Sequence, residues 1–179
     1  MPTAYIALGA NLPSAAGPPD ATLAAAAAQL AASGRIVARS SLYSTKPVGL
    51  ADQPRFFNAV VALETRLAPY PLLESLFDLE IMFDRDRSNA IPSGPRTLDL
   101  DLVLYGDFVL SESGLEVPHR RFSERAFVLV PLGEIAPTLR DPRSGRSIAE
   151  LLQALPPEIK LDVVPTENAH WSANPGVRG

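Results

Sequence analysis

Hydrophobic and polar residues alternate along the chain in two ways, and each way predicts a type of element. Short runs rich in apolar, β-branched or aromatic residues predict strands. They occupy residues 3–9, 35–45, 55–67 and 94–104. An alanine run with Asp20 at its start, and leucines at roughly helical spacing, predict helices over residues 20–33 and 69–85.

The order of these elements, β-α-β-β-α-β, predicts an α+β domain. We expect a ferredoxin-like βαββαβ core, with a mainly antiparallel sheet and helices on one face. Residues 106–110 predict a further short strand. Additional C-terminal helices are predicted at residues 122–137, where Pro131 should bend or interrupt the helix, and at residues 146–156, where Ser147 and Glu150 have the spacing of a capping box.

The predicted helices end near residue 155, which suggests a boundary. Residues 1–155 are predicted to form a single domain. Residues 156–179 are proline-rich and aperiodic, and we expect a loosely ordered C-terminal tail in which His170 and Trp171 are surface features.

Composition narrows the classes of function. The 179-residue chain has no cysteine, which rules out disulfides, thiolate metal sites and a cysteine nucleophile and fits a cytoplasmic location. Its N-terminus lacks the features of a signal peptide, and no apolar run is long enough for a membrane span, so no membrane association is expected. The net charge of −4 gives no overall positive field, and we expect no nucleic-acid partner.

The candidate chemistry lies in the stretch GPRTLDLDLVL, residues 94–104. Side chains alternate across a strand, so Leu98, Leu100, Leu102 and Leu104 should share one face, and Asp99, Asp101, Val103 and Tyr105 the other. Two carboxylates about 7 Å apart on one face suit Mg²⁺, which takes oxygen ligands and completes its shell with water and substrate phosphate. An amphipathic edge strand with its polar face in water has the same pattern.

Cationic residues surround this acidic pair in the sequence. They are Arg85, Arg87, Arg96, His119, Arg120, Arg121 and Arg125. Guanidinium groups bind phosphate with several hydrogen bonds, so the arrangement suits a metal-chelated polyphosphate. Surface salt bridges would explain the same residues.

Five stretches, taken in order, resemble the 6-hydroxymethyl-7,8-dihydropterin pyrophosphokinases of folate biosynthesis. They are AYIALGANL, SSLYSTKPVG, DQPRFFNAVVALET, GPRTLDLDLVLYG and VPHRRFSERAFVLVPLGEIAP. The resemblance covers roughly residues 4–155. It implies transfer of a pyrophosphoryl group from the co-substrate ATP to the hydroxymethyl group of the dihydropterin, releasing AMP.

The resemblance also implies roles for individual residues. Asp99 and Asp101 match the aspartates that hold two Mg²⁺ ions against the triphosphate. The positions that match nucleotide contacts are Glu80, Arg85, Arg87, Arg96, Leu102, His119, Arg120 and Arg125. Of these, Arg96 and Arg125 are expected to stabilise charge, His119 to donate a hydrogen bond to phosphate, and Arg85 to act from a closing loop. A further hypothesis is that Asp101 helps to deprotonate the hydroxyl group of the dihydropterin substrate.

The dihydropterin is flat and has an edge rich in donors and acceptors, so its pocket needs aromatic sides and a few directional polar groups. The matching positions are Gly9, Thr45, Val48, Phe56, Asn58 and Phe127. Asn58 can donate and accept along the pterin edge while Phe56 and Phe127 enclose the ring. On the residues alone, the two phenylalanines could equally be core residues and Gly9 an ordinary strand-end turn.

Two other classes of function stay open on the residues alone. One is a non-catalytic ferredoxin-like module that binds RNA or a small regulatory ligand, although exposed aspartates on a central strand would repel phosphate. The other is a Mg²⁺-dependent nuclease or another phosphotransferase, which would share the carboxylates and lack the pterin pocket. We expect small-molecule substrates, a monomer, and loops at residues 46–54 and 86–95 that are the most mobile parts of the domain.

Overall fold

The computed structural model describes residues 1–174. Its main sheet contains β1 (Thr3–Ala10), β2 (Arg35–Arg39), β3 (Tyr43–Thr45), β4 (Phe56–Glu64), β5 (Asp99–Tyr105) and β8 (Val164–Pro165), and a separate hairpin contains β6 (Leu110–Glu112) and β7 (Leu115–Val117). The helices are α1 (Pro19–Gln29), α2 (Pro69–Met82), α3 (Ala126–Ile135), α4 (Ile148–Ala154) and α5 (Pro157–Leu161). No helix within residues 1–174 has both the length and the apolar character needed to cross a membrane.

The main sheet is antiparallel, with strand order β5-β1-β4-β3-β8, and β2 pairs with β4 alongside β3. This order places the first and third predicted strands at the centre, which confirms the ferredoxin-like α+β class. The predicted strand at residues 35–45 is divided into β2 and β3. Ser40 lies at the division, where its hydroxyl accepts a hydrogen bond from Val60 N (2.9 Å).

Each face of the sheet is covered by helices. On one face, Leu23 of α1 and Leu72 and Leu76 of α2 pack against β1 residues such as Ile6. On the other face, residues of α3 and α4 pack against β4 and β5. The additional C-terminal helices therefore cover the second face, and this second layer lies on the side of the sheet that carries Asp99 and Asp101.

Strand β5 follows the predicted alternation only in its first half. Leu98, Leu100 and Leu102 pack with α1 and α2, as predicted. The register with β1 then shifts between Tyr5 and Ile6, so that one extra residue is inserted in β5. After this bulge Leu104 belongs to the α3 side and Tyr105 to the α1 side, so the predicted faces of these two residues are wrong.

The C-terminal helices differ from expectation in two respects. Residues 122–124 of the first predicted helix form a separate 3-10 turn, and α3 begins only at Ala126. Pro131 lies inside α3, and the helix continues to Ile135 without interruption. The capping box at the start of α4 is confirmed, because Ser147 Oγ accepts from Glu150 N and Glu150 accepts from Ser147 N.

The expected loosely ordered tail is wrong for residues 156–174. This segment forms α5, adds β8 to the edge of β3, and places Trp171 in the core at 6% exposure. The Trp171 indole donates to Ser40 O (2.8 Å), and His170 pairs with Asp20 of α1 (2.6 Å), so only His170 has the surface character expected of both. The last part of the expected tail, residues 175–179, lies outside the described residues.

Candidate active site

A cavity of about 490 Å³ opens where the C-terminal end of β1 meets the starts of β4 and β5. All six residues expected to bind the pterin line it: Gly9, Thr45, Val48, Phe56, Asn58 and Phe127. Three of the residues expected near the triphosphate line the same cavity: Arg96, Asp99 and Arg125. The two predicted halves of the site are therefore adjacent.

Sheet register explains why these halves meet. Gly9 pairs with Asn58 on one side and with Asp99 on the other, so the three residues form one row across the sheet. Residues in such a row point to the same face. Because Gly9 has no side chain, only the backbone of β1 separates Asn58 from Asp99 in this row.

Asn58 is held in place before any ligand arrives. It is 7% exposed, and its Nδ2 donates to the hydroxyl of buried Thr45 (2.7 Å). A Cβ atom on Gly9 would lie 2.8 Å from Asn58 Oδ1. Gly9 therefore makes room for the Asn58 side chain, a more specific role than the general approach of backbone to ligand that the sequence suggested.

The two phenylalanines at the cavity each lie under a guanidinium group. Arg96 is 5.7 Å from the ring centroid of Phe56, and Arg125 is 5.6 Å from that of Phe127. Such cation–π contacts orient the arginines and keep one side of each positive group near the aromatic surface. Both phenylalanines are partly exposed and line the cavity, which favours a binding role over a core role.

The same arginines contact the acidic pair. Arg96 Nη1 is 3.1 Å from Asp99 Oδ2, and Arg125 Nη1 is 3.8 Å from Asp101 Oδ2. Burial and the neighbouring charge of Asp99 raise the pKa of Asp101 to about 7, against the opposing effect of Arg125. An acidic pair with this mutual repulsion would be stabilised by a cation.

His119 lies on the other side of Asp101, with its Nε2 4.0 Å from Asp101 Oδ1. Burial and the positive charge of Arg125 lower the pKa of His119, so its ring is neutral at neutral pH. Arg121 N donates to His119 Nδ1 (3.2 Å), which places the ring proton on Nε2. His119 thus presents a neutral N–H donor beside the acidic pair.

The donor set fits magnesium. Asp99 and Asp101 offer oxygen ligands of the type that Mg²⁺ prefers. Within residues 1–174, no group of three or more His, Cys, Asp or Glu side chains is placed to hold a metal ion. The remaining coordination positions would therefore be left for water and a phosphate ligand.

Glu80 and the two arginines after α2 form a second cluster behind the acidic pair. The buried Glu80 carboxylate accepts from Leu100 N (2.8 Å) and pairs with Arg87, and burial raises its pKa. Arg87 also lies over the ring of Phe77. Arg85 Nε is buried with no hydrogen-bond partner among residues 1–174, and burial lowers the Arg85 pKa.

Six of the eight expected nucleotide contacts do not line the cavity, and two of these, Leu102 and Arg120, also lie outside the charged clusters just described. The Leu102 side chain packs on the α1 and α2 face, opposite the acidic pair, so only its main chain is available to a ligand there. Arg120 is exposed and does not line the cavity. A nucleotide contact by either residue stays a prediction.

The sequence also missed part of the cavity lining. Residues 158–163 of the expected tail contribute Glu158, Ile159, Asp162 and Val163. No motif or periodicity marked them, because the segment is short and reaches the site through tertiary contacts such as its pairing with β3.

Comparison with known proteins identifies the family of this chain. Residues 5–137 match the family model for 7,8-dihydro-6-hydroxymethylpterin-pyrophosphokinase (HPPK). A Pseudomonas aeruginosa protein named 2-amino-4-hydroxy-6-hydroxymethyldihydropteridine pyrophosphokinase is 47% identical over 153 residues, which cover 85% of this chain and 91% of that protein. A Methylorubrum extorquens protein of the same name is 43% identical over 159 residues, covering 88% and 96%.

A solved structure has the same fold. The crystal structure of Plasmodium falciparum HPPK-DHPS matches with a TM-score of 0.67 at 14% identity, covering 85% of this chain. This chain spans 44% of the length of that larger protein. With the family model matched over most of the chain and relatives above 40% identity across nearly their full length, the chain belongs to the 7,8-dihydro-6-hydroxymethylpterin-pyrophosphokinase family.

Proposed function

We propose that this chain transfers a pyrophosphoryl group from MgATP to the hydroxymethyl group of 6-hydroxymethyl-7,8-dihydropterin, a step of folate biosynthesis that releases AMP. The observation that carries this proposal is the row formed by Asn58, Gly9 and Asp99. It joins a pocket suited to a flat heterocycle to an acidic pair suited to a metal-bound triphosphate.

The pterin side of the cavity is assigned to the six lining residues already described. Asn58 offers an amide group to the polar edge of the ring, and its bond to Thr45 fixes the amide orientation. Phe56 and Phe127 enclose the ring, while Val48 is 65% exposed and available to cover it from the loop. Gly9 lies between Asn58 and Asp99 in the same row, which joins the pterin side of the cavity to the acidic pair.

The carboxylates of Asp99 and Asp101 are proposed to hold magnesium, with two ions as the proposed number. When bound, magnesium supplies positive charge that offsets the charge of the triphosphate and orients its oxygens. The protein supplies two fixed oxygen donors on one strand. The pKa of Asp101 is raised first by burial and then by repulsion from Asp99, and a bound cation would relieve that repulsion.

The cationic side chains are proposed to position and stabilise the transferring group. Arg96 and Arg125 stand on the two sides of the acidic pair and can donate to phosphate oxygens in a fixed orientation. His119 is proposed to donate a hydrogen bond from its Nε2–H group to a phosphate oxygen. Phosphoryl transfer depends largely on such positioning and on charge stabilisation, with the substrate hydroxyl oxygen attacking the β-phosphorus in line.

Arg85 and Arg87 are proposed to act from the loop after α2. The Arg85 Nε is buried without a partner among the described residues, and a movement of the loop would bring it to an anionic ligand. Arg87 must exchange its pairing with Glu80 for a phosphate, so Glu80 is proposed to hold Arg87 until the nucleotide binds. Arg120 and the main chain of Leu102 are proposed as outer nucleotide contacts.

Asp101 is also proposed to help remove the proton of the attacking hydroxyl. The pKa of about 7 applies to the metal-free protein, and bound magnesium would lower it, so this role rests on Asp101 accepting the proton as one carboxylate of the acidic pair. A pH–rate profile left unchanged by Asp101→Asn, measured at equal metal occupancy, would contradict this role.

The sequence gives grounds for three broader proposals. Residues 1–155 are proposed as the catalytic domain, to whose cavity residues 158–163 also contribute. The protein is proposed to be a cytoplasmic monomer. Analytical ultracentrifugation at micromolar concentrations tests the oligomeric state, for which a dimer would be the contrary result.

The reaction is tested by incubating the protein with MgATP and 6-hydroxymethyl-7,8-dihydropterin and separating the nucleotide products. AMP that appears only when the pterin is present is the expected result. ADP would indicate a simple kinase, while folded protein that forms neither product would contradict the proposal. Incubation with RNA in place of pterin, with no cleavage expected, separates this function from a metal-dependent nuclease.

A further inference from the structure

Asp162 contacts both ends of the loop that connects β3 to β4, residues 46–55. Its Oδ2 accepts from Lys46 N at the start of the loop (2.7 Å). Its Oδ1 lies 3.3 Å from Arg55 Nη1 at the end of the loop and 3.7 Å from Lys46 Nζ. A single carboxylate thus joins two residues that are nine positions apart in sequence.

Arg55 extends this connection to the neighbouring strand. Its Nη2 donates to Asp162 O (3.2 Å) and to Ser44 O (3.1 Å), and its Nε donates to Ser44 Oγ (2.8 Å). The base of the loop is therefore held by a network of charge-assisted hydrogen bonds that includes β3, the loop and the segment after α5.

Asp162 itself is well fixed in position. It follows α5 directly, and the next residue, Val163, is buried against the α3 side of the sheet. Ser44 of β3 then pairs with Val164 of β8. Because the two residues that follow Asp162 are packed or paired, its carboxylate is a stable anchor for the more exposed Lys46 and Arg55.

The base of this loop carries residues of the pterin pocket. Thr45 and Phe56 are register partners immediately outside the loop, and both line the cavity. Thr45 also accepts the hydrogen bond that orients Asn58. Movement at the base of the loop would therefore move an aromatic side of the pocket and the group that fixes the pterin-binding amide.

We propose that Asp162 is a positioning residue for the dihydropterin, acting through Lys46 and Arg55. This inference rests on the proposed function of the same cavity. Loss of the carboxylate should weaken pterin binding, since Thr45 and Phe56 lose their fixed spacing. ATP binding should change little, because its proposed contacts lie on or after α2, on β5 or just before it, and between β7 and α3.

The test measures kcat, and KM for each substrate, in the variants Asp162→Ala and Arg55→Met. The Arg55→Met change removes the guanidinium partner of Asp162 and keeps an apolar side chain. KM for the pterin should rise about tenfold, the effect of losing one charge-assisted hydrogen bond, while KM for ATP and kcat stay within about twofold. Asp162→Asn keeps an acceptor for Lys46 N and loses the charge, so it should give an intermediate rise.

Glu64→Gln is the matched control. The Glu64 side chain is 27% exposed, as is that of Asp162, and it pairs with Arg35 at the other end of β4. This variant should leave all three parameters unchanged. The double variant Asp162→Ala/Arg55→Met should raise KM for the pterin no further than the more damaging single change, because both changes break the same network.

An unchanged KM for the pterin in Asp162→Ala and Arg55→Met would overturn the inference. A fall in kcat together with equal rises in both KM values and a lower melting temperature would also overturn it, because these changes indicate a structural role alone. If the wild-type protein forms no AMP, the proposed function itself fails. If the wild type is active while the variants match it, only the role of Asp162 fails.

Discussion

Gly9 and Asn58 face each other across β1 and β4 so closely that a methyl group on Gly9 would lie 2.8 Å from Asn58 Oδ1. Gly9→Ala should therefore displace the Asn58 amide, and KM for the pterin should rise about tenfold, in line with the usual cost of overpacking. Steady-state kinetics with varied pterin checks this. In an Asn58→Ala background the added methyl group meets no amide, so Gly9→Ala should there have little further effect. Equal effects in the two backgrounds would contradict the explanation.

Trp171 joins the C-terminal segment to the core. It is buried, its indole donates to Ser40 O, and Arg39 lies 5.7 Å from its ring centroid. Trp171→Ala should lower the free energy of unfolding by about 3 kcal/mol, because it leaves a cavity and an unpaired carbonyl. Urea denaturation measures the change. His170→Ala, which removes only a partly exposed pair with Asp20, should cost less than about 1 kcal/mol. A similar small loss for Trp171→Ala would mean that the segment is not packed as described.

The raised pKa of Asp101 should give the metal-free protein an unusual pH dependence of stability. This pKa is raised in the folded state to about 7 from an ordinary value of 3.8, so the folded protein holds the proton more tightly than the unfolded chain. The contribution of Asp101 to stability is then fully present below about pH 4 and is lost as the pH rises through about 7.

Asp101→Asn should remove this loss. At pH 8 in EDTA, the variant should be more stable than the wild type by about 1 kcal/mol, a figure reduced for the 30% exposure of the side chain. At pH 4 the difference should vanish. Denaturation curves at both pH values make the comparison, with Asp107→Asn as a control on the exposed turn after β5. A constant difference at both pH values would contradict the assigned pKa.

The loops at residues 46–54 and 86–95 are predicted to be the most mobile parts of the domain. Neither range contains a helix or strand, and they meet where Gln53 Nε2 donates to Ser93 O (2.7 Å). Amide hydrogen exchange without ligand should show less protection there than in β1 and β4. Added MgATP analogue and pterin should increase the protection of both loops. Equal protection in loops and strands without ligand would contradict the prediction.

The sequence was most informative where local chemistry determines position. Alternation in β5 correctly placed Asp99 and Asp101 on the face opposite Leu98 and Leu100, and the family resemblance brought the pterin residues to one cavity. The alternation gave the wrong faces for Leu104 and Tyr105, because a β-bulge depends on pairing with β1 and leaves no mark in the pattern of β5.

The role of the C-terminal segment was equally hidden. Its five-residue helix and two-residue strand are too short to give a periodic signal, and their positions depend on contacts with distant residues. Asp162 contacts Lys46 across 116 positions. Such a contact is determined by tertiary packing, which one sequence does not reveal.

The central claim is that Asp99 and Asp101 hold the magnesium that accompanies ATP. The most direct measurement is the rate of AMP formation by Asp99→Ala and Asp101→Ala over a range of Mg²⁺ concentrations, with Asp107→Ala as the control and circular dichroism to confirm folding. The account predicts that each active-site variant loses at least about a hundredfold in rate, the scale of removing a preorganised electrostatic contact, while Asp107→Ala behaves as the wild type. Folded active-site variants with the rate and magnesium dependence of the wild type would contradict the claim.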